Sequence, residues 1–196
     1  MKLQYFFFIL AIGSSNQVKA GHGFFNSFEG INWLSEPGLT PDQFVYILDD
    51  TSEKFQLSSS NDPVVVQKYY MNFAEEKLAE SIWLLKRGNK NYHSEIERKY
   101  TSYLTDLHSS FTAHQSAEGT NYQQYCAERL LQHMYILSIE VLAVEPSMKE
   151  YFLSLNKIAS SFYDAIIDGL NQDFIDSHFF KKEELKWSWE ITLDPD

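Results

Sequence analysis

The stretch from Leu39 to Gly88, LTPDQFVYILDDTSEKFQLSSSNDPVVVQKYYMNFAEEKLAESIWLLKRG, constrains this chain most, because it carries start and stop signals for two successive helices. Thr40, with Pro41 behind it and Gln43 three residues on, predicts a capping box in which hydroxyl and amide side chain satisfy each other's backbone donors. A short helix is expected from there, closed by a Ser/Asn turn at 58–61. Asp62 and Pro63 then predict the cap and first residue of a long helix. That helix should stop at Gly88, with Lys86 and Arg87 facing the negative end of its dipole.

The same stretch carries a resemblance. Pro41, Tyr46 and Leu48, then Glu53-Lys54-x-Gln56-Leu57, Asp62-Pro63, Ala74-Glu75-Glu76-Lys77-Leu78-Ala79-Glu80 and the closing Arg87-Gly88 are similar to the pattern of the bacterial domain-of-unknown-function family 5667. The resemblance covers residues 39–88 and implies an extracytoplasmic helical domain, secreted or tethered at the cell envelope. It carries no catalytic or ligand residue onto this chain.

Further along, apolar residues recur at steps of three or four. Met71, Ala74, Leu78, Ile82 and Leu85 form one such face, and Ile96, Tyr100, Tyr103, Leu107 and Phe111 the next. Two more follow: Cys126, Leu130, Leu137, Val141 and Val144, then Tyr151, Leu155, Ile158, Phe162 and Ile166. Ser94 with Glu97, Thr120 with Gln123 and Ser147 with Glu150 mark the expected starts, and Gly119 and Pro146 the expected stops. Short links between long helices force antiparallel neighbours. The expected fold class is therefore all-α: an up-and-down antiparallel bundle of four long helices plus one short N-terminal helix.

The ends break this pattern. Residues 1–20 have a lysine, an apolar run from Tyr5 to Ile12 and Val18-Lys19-Ala20 before Gly21, the layout of an export signal cleaved between Ala20 and Gly21. The run is too short to span a bilayer, so no stable membrane insertion is expected after cleavage. Residues 21–38 read as an irregular aromatic arm containing Phe24, Phe25, Phe28, Ile31, Trp33 and Leu34, and residues 39–176 as the bundle. In residues 177–196, Trp187, Trp189, Ile191 and Leu193 alternate with Lys186, Ser188, Glu190 and Thr192, which predicts an extended tail. Trp187 and Trp189 with Phe24, Phe25 and Trp33 are the candidate interaction residues, because so many large rings are costly to leave in water.

Charge and chemistry narrow the function. Cleavage removes Lys2 and Lys19, taking 16 basic residues to 14 against 27 acidic ones, a formal charge of −13. Such a surface repels nucleic acid and anionic headgroups. The single Cys126 cannot form an internal disulfide and shares the apolar face of its helix, so it reads as a core thiol. The six histidines, His22, His93, His108, His114, His133 and His178, fit no zinc, di-iron or haem pattern. His108 and His114 are six apart and point in different directions on a helix, and His133 lies near an apolar face as a core or boundary residue. Gly21-His22-Gly23 at a new N-terminus offers a short copper(II) or nickel(II) pattern and nothing more. Glu76 and Glu80, four apart, have the geometry of a carboxylate pair, with a solvated helix edge as the ordinary reading.

No nucleophile elbow, phosphate loop or dinucleotide fingerprint occurs, so no enzyme activity and no cofactor are expected. The favoured reading is an exported, periplasmic or extracellular, non-enzymatic module that binds another protein or serves a structural role at the envelope. One alternative is a sensor-like bundle holding a small apolar or aromatic ligand. The other is a hydrolase or metal enzyme whose residues converge only in three dimensions.

Overall fold

The residues described by this computed structural model are 34, 37–44 and 46–193, and among them the regular structure is entirely helical. Six helices follow in order: α1 Ile47–Ser58, α2 Pro63–Lys86, α3 His93–Ala113, α4 Ala117–Ala143, α5 Pro146–Ile167 and α6 Gln172–Leu193. Two antiparallel hairpins make the body. In α2–α3, Phe73 packs on Tyr103 at 5.3 Å between ring centroids, and Gln67 donates to Ser110 at 3.2 Å. In α4–α5, Asn156 donates to the Met134 carbonyl at 3.1 Å and Gln123 to that of Ile166 at 2.7 Å. The hairpins meet with α2 beside α4 and α3 beside α5; α6 lies on α4 and α1 on α2.

The apolar stripes account for this assembly. All five residues expected to face inward on α2 are buried, as are Ile96, Tyr100, Leu107 and Phe111 of α3 and Cys126, Leu130 and Leu137 of α4. On α5 the buried face is Phe152, Leu155, Ala159, Tyr163 and Ile166, while Tyr151, Ile158 and Phe162 are half-buried. The true seam of α5 thus runs one residue away from the most regular-looking set.

The ends of α2 match their signals. Asp62 accepts from the Val64 N–H at 2.9 Å with Pro63 beginning the helix. At the other end Gly88 takes φ 71°, its N–H bonds to the Leu85 carbonyl at 2.9 Å, and the Asn89 N–H reaches back to Leu84 at 3.0 Å. This is the paired 5→2 and 6→1 closure that a left-handed glycine makes.

Other boundaries differ from expectation. Thr40 does not cap a helix: its hydroxyl donates to Asp42, and residues 40–46 run through turns, with Gln43 N–H bonding Thr40 O at 2.8 Å and Tyr46 N–H bonding Gln43 O at 3.1 Å. The helix begins only after Tyr46, whose side chain is anchored in the interior. Gly119 does not stop α3. It lies in the first turn of α4, where its N–H bonds Ser116 Oγ at 3.0 Å; a Cβ at Gly119 would sit 3.0 Å from that oxygen, so glycine permits the close cap. Neither Ser94 nor Ser147 occupies a cap position: α3 starts at His93, and α5 starts with Pro146 as its first residue.

The tail is the largest correction. Residues 172–193 are helical, not extended. Asn171 accepts from the Phe174 N–H at 2.9 Å and so nucleates α6, which then buries His178 and Leu185. A helix already nucleated gains one backbone bond per added residue, whereas an alternating strand has no ladder without a partner.

Candidate functional site

The family-like segment Ala74-Glu75-Glu76-Lys77-Leu78-Ala79-Glu80 places its charges on two sides of α2. At 100° per residue, Lys77 and Glu80 fall on one face with Glu76 at its edge, while Glu75 points the other way. The first group meets α1, and the second meets α4.

Beneath α1 lies a cluster of ion pairs. Lys77, fully buried, places its Nζ 2.6 Å from Glu80, 2.8 Å from Asp49 and 2.9 Å from Glu53. Lys99 of α3, also buried, pairs with Asp50, lies 3.8 Å from Glu95 and donates to the Tyr46 hydroxyl at 2.9 Å. Tyr46 in turn donates to Glu80 at 3.2 Å, and its ring has Lys77 at 5.2 Å and Lys99 at 4.3 Å from its centroid. Tyr103 donates to Glu53. Gly38 passes close to this group: a Cβ there would meet Glu76 Oε1 at 2.4 Å, so a larger residue would push the Glu76 carboxylate aside.

The electrostatics follow from burial. Six carboxylates, Asp49, Asp50, Glu53, Glu76, Glu80 and Glu95, surround two ammonium groups, Lys77 and Lys99. Burial raises Glu80 to about 7 against the opposing pull of Lys77, and Asp49 and Glu76 push it further up. Burial, then Asp49, raises Glu76 to about 7 as well. For Lys77 burial acts downward, but Glu80, Asp49 and Glu53 outweigh it and hold the ammonium well above its usual range. Lys77 is therefore a permanent cation and no nucleophile.

Oxygens of Asp49, Glu76 and Glu80 all lie within 4.8 Å of one another, close enough to share one cation. The Lys77 ammonium already bonds two of the three, Asp49 and Glu80. Glu76 and Glu80 are thus not the solvated helix edge their spacing suggested: Glu80 is fully buried and Glu76 partly so.

On the opposite face of α2, Glu75 pairs with Arg129, and His133 Nδ1 shares a hydrogen bond of 2.8 Å with the Tyr100 hydroxyl. His133 Nε2 lies 4.0 Å from Glu75. Burial drives His133 well below its usual value, with Arg129 adding to the effect, so it is a neutral core histidine. Burial likewise raises the Cys126 thiol well above its usual range, so Cys126 is the core thiol expected of it.

The remaining described histidines make other contacts. His93 stacks on Tyr151 at 4.2 Å, and His178 bonds Glu128 at 3.1 Å. His108 and His114, expected to point away from each other, line one cleft of about 330 Å³ at an end of the bundle with Gln123 and Asp168. The reason is that α3 ends at Ala113, so His114 leaves the helix at φ −134°, ψ 87° and helical spacing no longer applies to it.

Of the residues singled out from the sequence, Ala20, Gly21, His22, Phe24, Phe25 and Trp33 lie outside the described residues. Trp187 and Trp189 lie on the α6 backbone, which removes the strand pairing of tail with arm; their side chains are not described. Sequence reasoning missed the inward charges of α1. Asp49, Asp50 and Glu53 share one helical face, while Leu48 and Phe55 are in phase on the opposite one; that second pair was the available signal.

No described helix is long and apolar enough to cross a membrane. A family model described as Domain of unknown function (DUF5667) matches residues 38–138, from the glycine over Glu76 into α4. No curated protein and no solved structure matches the chain.

Proposed function

We propose, for a chain that belongs to the DUF5667 family, an exported, non-enzymatic module that works by contact with another protein in the periplasm or outside the cell. One observation carries the contact role. α6 turns His178 and Leu185 inward and presents Phe179 and Phe180 outward, exposed by 57% and 78% with their rings edge to face at 5.7 Å. Neighbouring exposed aromatic rings are the kind of anchor that protein interfaces bury.

The non-catalytic part rests on the polar groups themselves. Lys77 is closed in by its own carboxylates, and His133 and Cys126 sit fully buried in the core. The export part rests on the leader pattern at residues 1–20.

The test is capture of partners from the host's own envelope fraction, comparing the native chain with a Phe179→Ser/Phe180→Ser variant of equal melting temperature. A protein retained by the native chain and lost by the variant supports the reading. Equal retention, or none by either, sinks it.

A further inference from the structure

α1 is mounted inside out. Its charged side, Asp49, Asp50 and Glu53, faces α2 and α3, so the helix is fastened by ion pairs and hydrogen bonds. Its apolar side faces away: Leu48 is 56% and Phe55 72% exposed, and Phe44, in the turn before the helix, is fully exposed. Leu48 and Phe55 lie seven residues apart, within about 20° of one another around the helix axis, and Phe44 stands in the turn that leads into the helix. Thr51 and Ser52 flank them, so the stripe carries no charge.

The chain itself supplies a matching surface. Residues 24–33, FFNSFEGINW, hold five large apolar side chains and a single charge, Glu29. They join the described structure close to α1: Leu34 packs on the core, Gly38 lies over Glu76, and Thr40 is buried. Ten residues reach about 33 Å when extended, whereas the 12 residues of α1 span only about 18 Å. The whole stripe is within that reach. A tethered segment also competes at an effective concentration in the millimolar range, while a second copy would have to bring up another formal charge of −11.

We propose that residues 24–33 fold back over the outer face of α1 and cover Phe44, Leu48 and Phe55, so that α1 is held by charge on one side and by this apolar strap on the other. The inference does not depend on the contact role given to α6.

A nitroxide attached to Ser52→Cys in the isotope-labelled whole chain tests this. Ser52 is exposed and borders the stripe without being one of its rings, and Cys126, fully buried, is out of the reagent's reach. The amides of residues 24–33 should lose most of their intensity, and adding Phe55→Ser should restore it. A label at the exposed Lys157→Cys on α5 should leave those amides sharp. Sharp arm amides with the Ser52→Cys label overturn the proposal. So does attenuation that also arises when spin-labelled chains without isotope are mixed with isotope-labelled chains without spin label, which assigns the stripe to a second copy instead.

Discussion

Lys77 Nζ lies 2.8 Å from Asp49 Oδ2, and this bond joins the middle of α2 to the start of α1 in an interior that water does not reach at the lysine. Helix α1 is thereby held to its neighbours by charge, where the other helices are held by apolar seams.

Replacing Lys77 with Met should destabilise the domain by about 3–5 kcal/mol, because it strands the carboxylates of Asp49, Glu53 and Glu80 without their cation. Urea unfolding measures this. Adding Glu80→Gln to the Lys77→Met chain should recover part of the loss, since one stranded charge is then removed. A single-variant cost below about 0.5 kcal/mol would mean that the pairs contribute nothing.

Stability should rise on mild acidification. Glu76 and Glu80 stand at about 7 in the folded chain against 4.5 for a free carboxyl, so the folded state holds protons that the unfolded state releases. Their contribution is fully present below about 4.5 and is lost as pH rises through about 7. The melting temperature should accordingly be higher at pH 5.5 than at pH 8. Lys77, Asp49, Glu53, Tyr46 and Tyr151 face these two groups and set the depth of the effect. Glu80→Gln should flatten the profile; an unchanged slope in that variant would refute the assignment.

Leu78 is 1% exposed and Ile82 7%, both within the α2 seam, so Ala at either should cost about 2–5 kcal/mol through lost transfer energy and a cavity. Gly88→Val tests a different term. Nothing lies within 4 Å of a Cβ at Gly88, so its cost of about 1–2 kcal/mol is conformational, from a β-branched residue forced to φ 71°. Gly88→Asn should cost less than Val. Equal costs for Asn and Val would show that the left-handed backbone relaxes.

Export predicts a mature N-terminus at Gly21, read by intact mass of the protein recovered from its host. Ala20→Phe should block processing, because the peptidase site takes small side chains at that position. Recovery of soluble native protein with Met1 in place would refute the leader.

Where sequence and structure agree, the signal was local. Asp62, Pro63 and Gly88 act within a turn of where they stand, and the α2 stripe needs only its own period. Where they part, a contact remote in sequence decides. Thr40 is a good cap by its neighbours, yet Tyr46 is drawn between Lys99 and Glu80, residues from two other helices, and the helix starts after it. Residues 187–193 alternate like a strand, but Asn171, sixteen residues before Trp187, had already begun a helix. The charge cluster was the least legible part. Its acids and bases come from α1, α2 and α3, and an acidic chain hides the two buried carboxylates, Glu53 and Glu80, and their half-buried neighbours among 27 acidic residues.

The parallel contact of α2 with α4 has a further implication. Glu75–Arg129 and Lys86–Glu140 are each separated by 54 positions, so the two helices are locked in one register at two points three turns apart. The link at 114–116, exposed throughout, is not what aligns them. A break in the backbone there leaves two helical hairpins whose facing charges still specify how they go back together, which makes this link a natural place to divide the chain into complementing fragments or to open new termini.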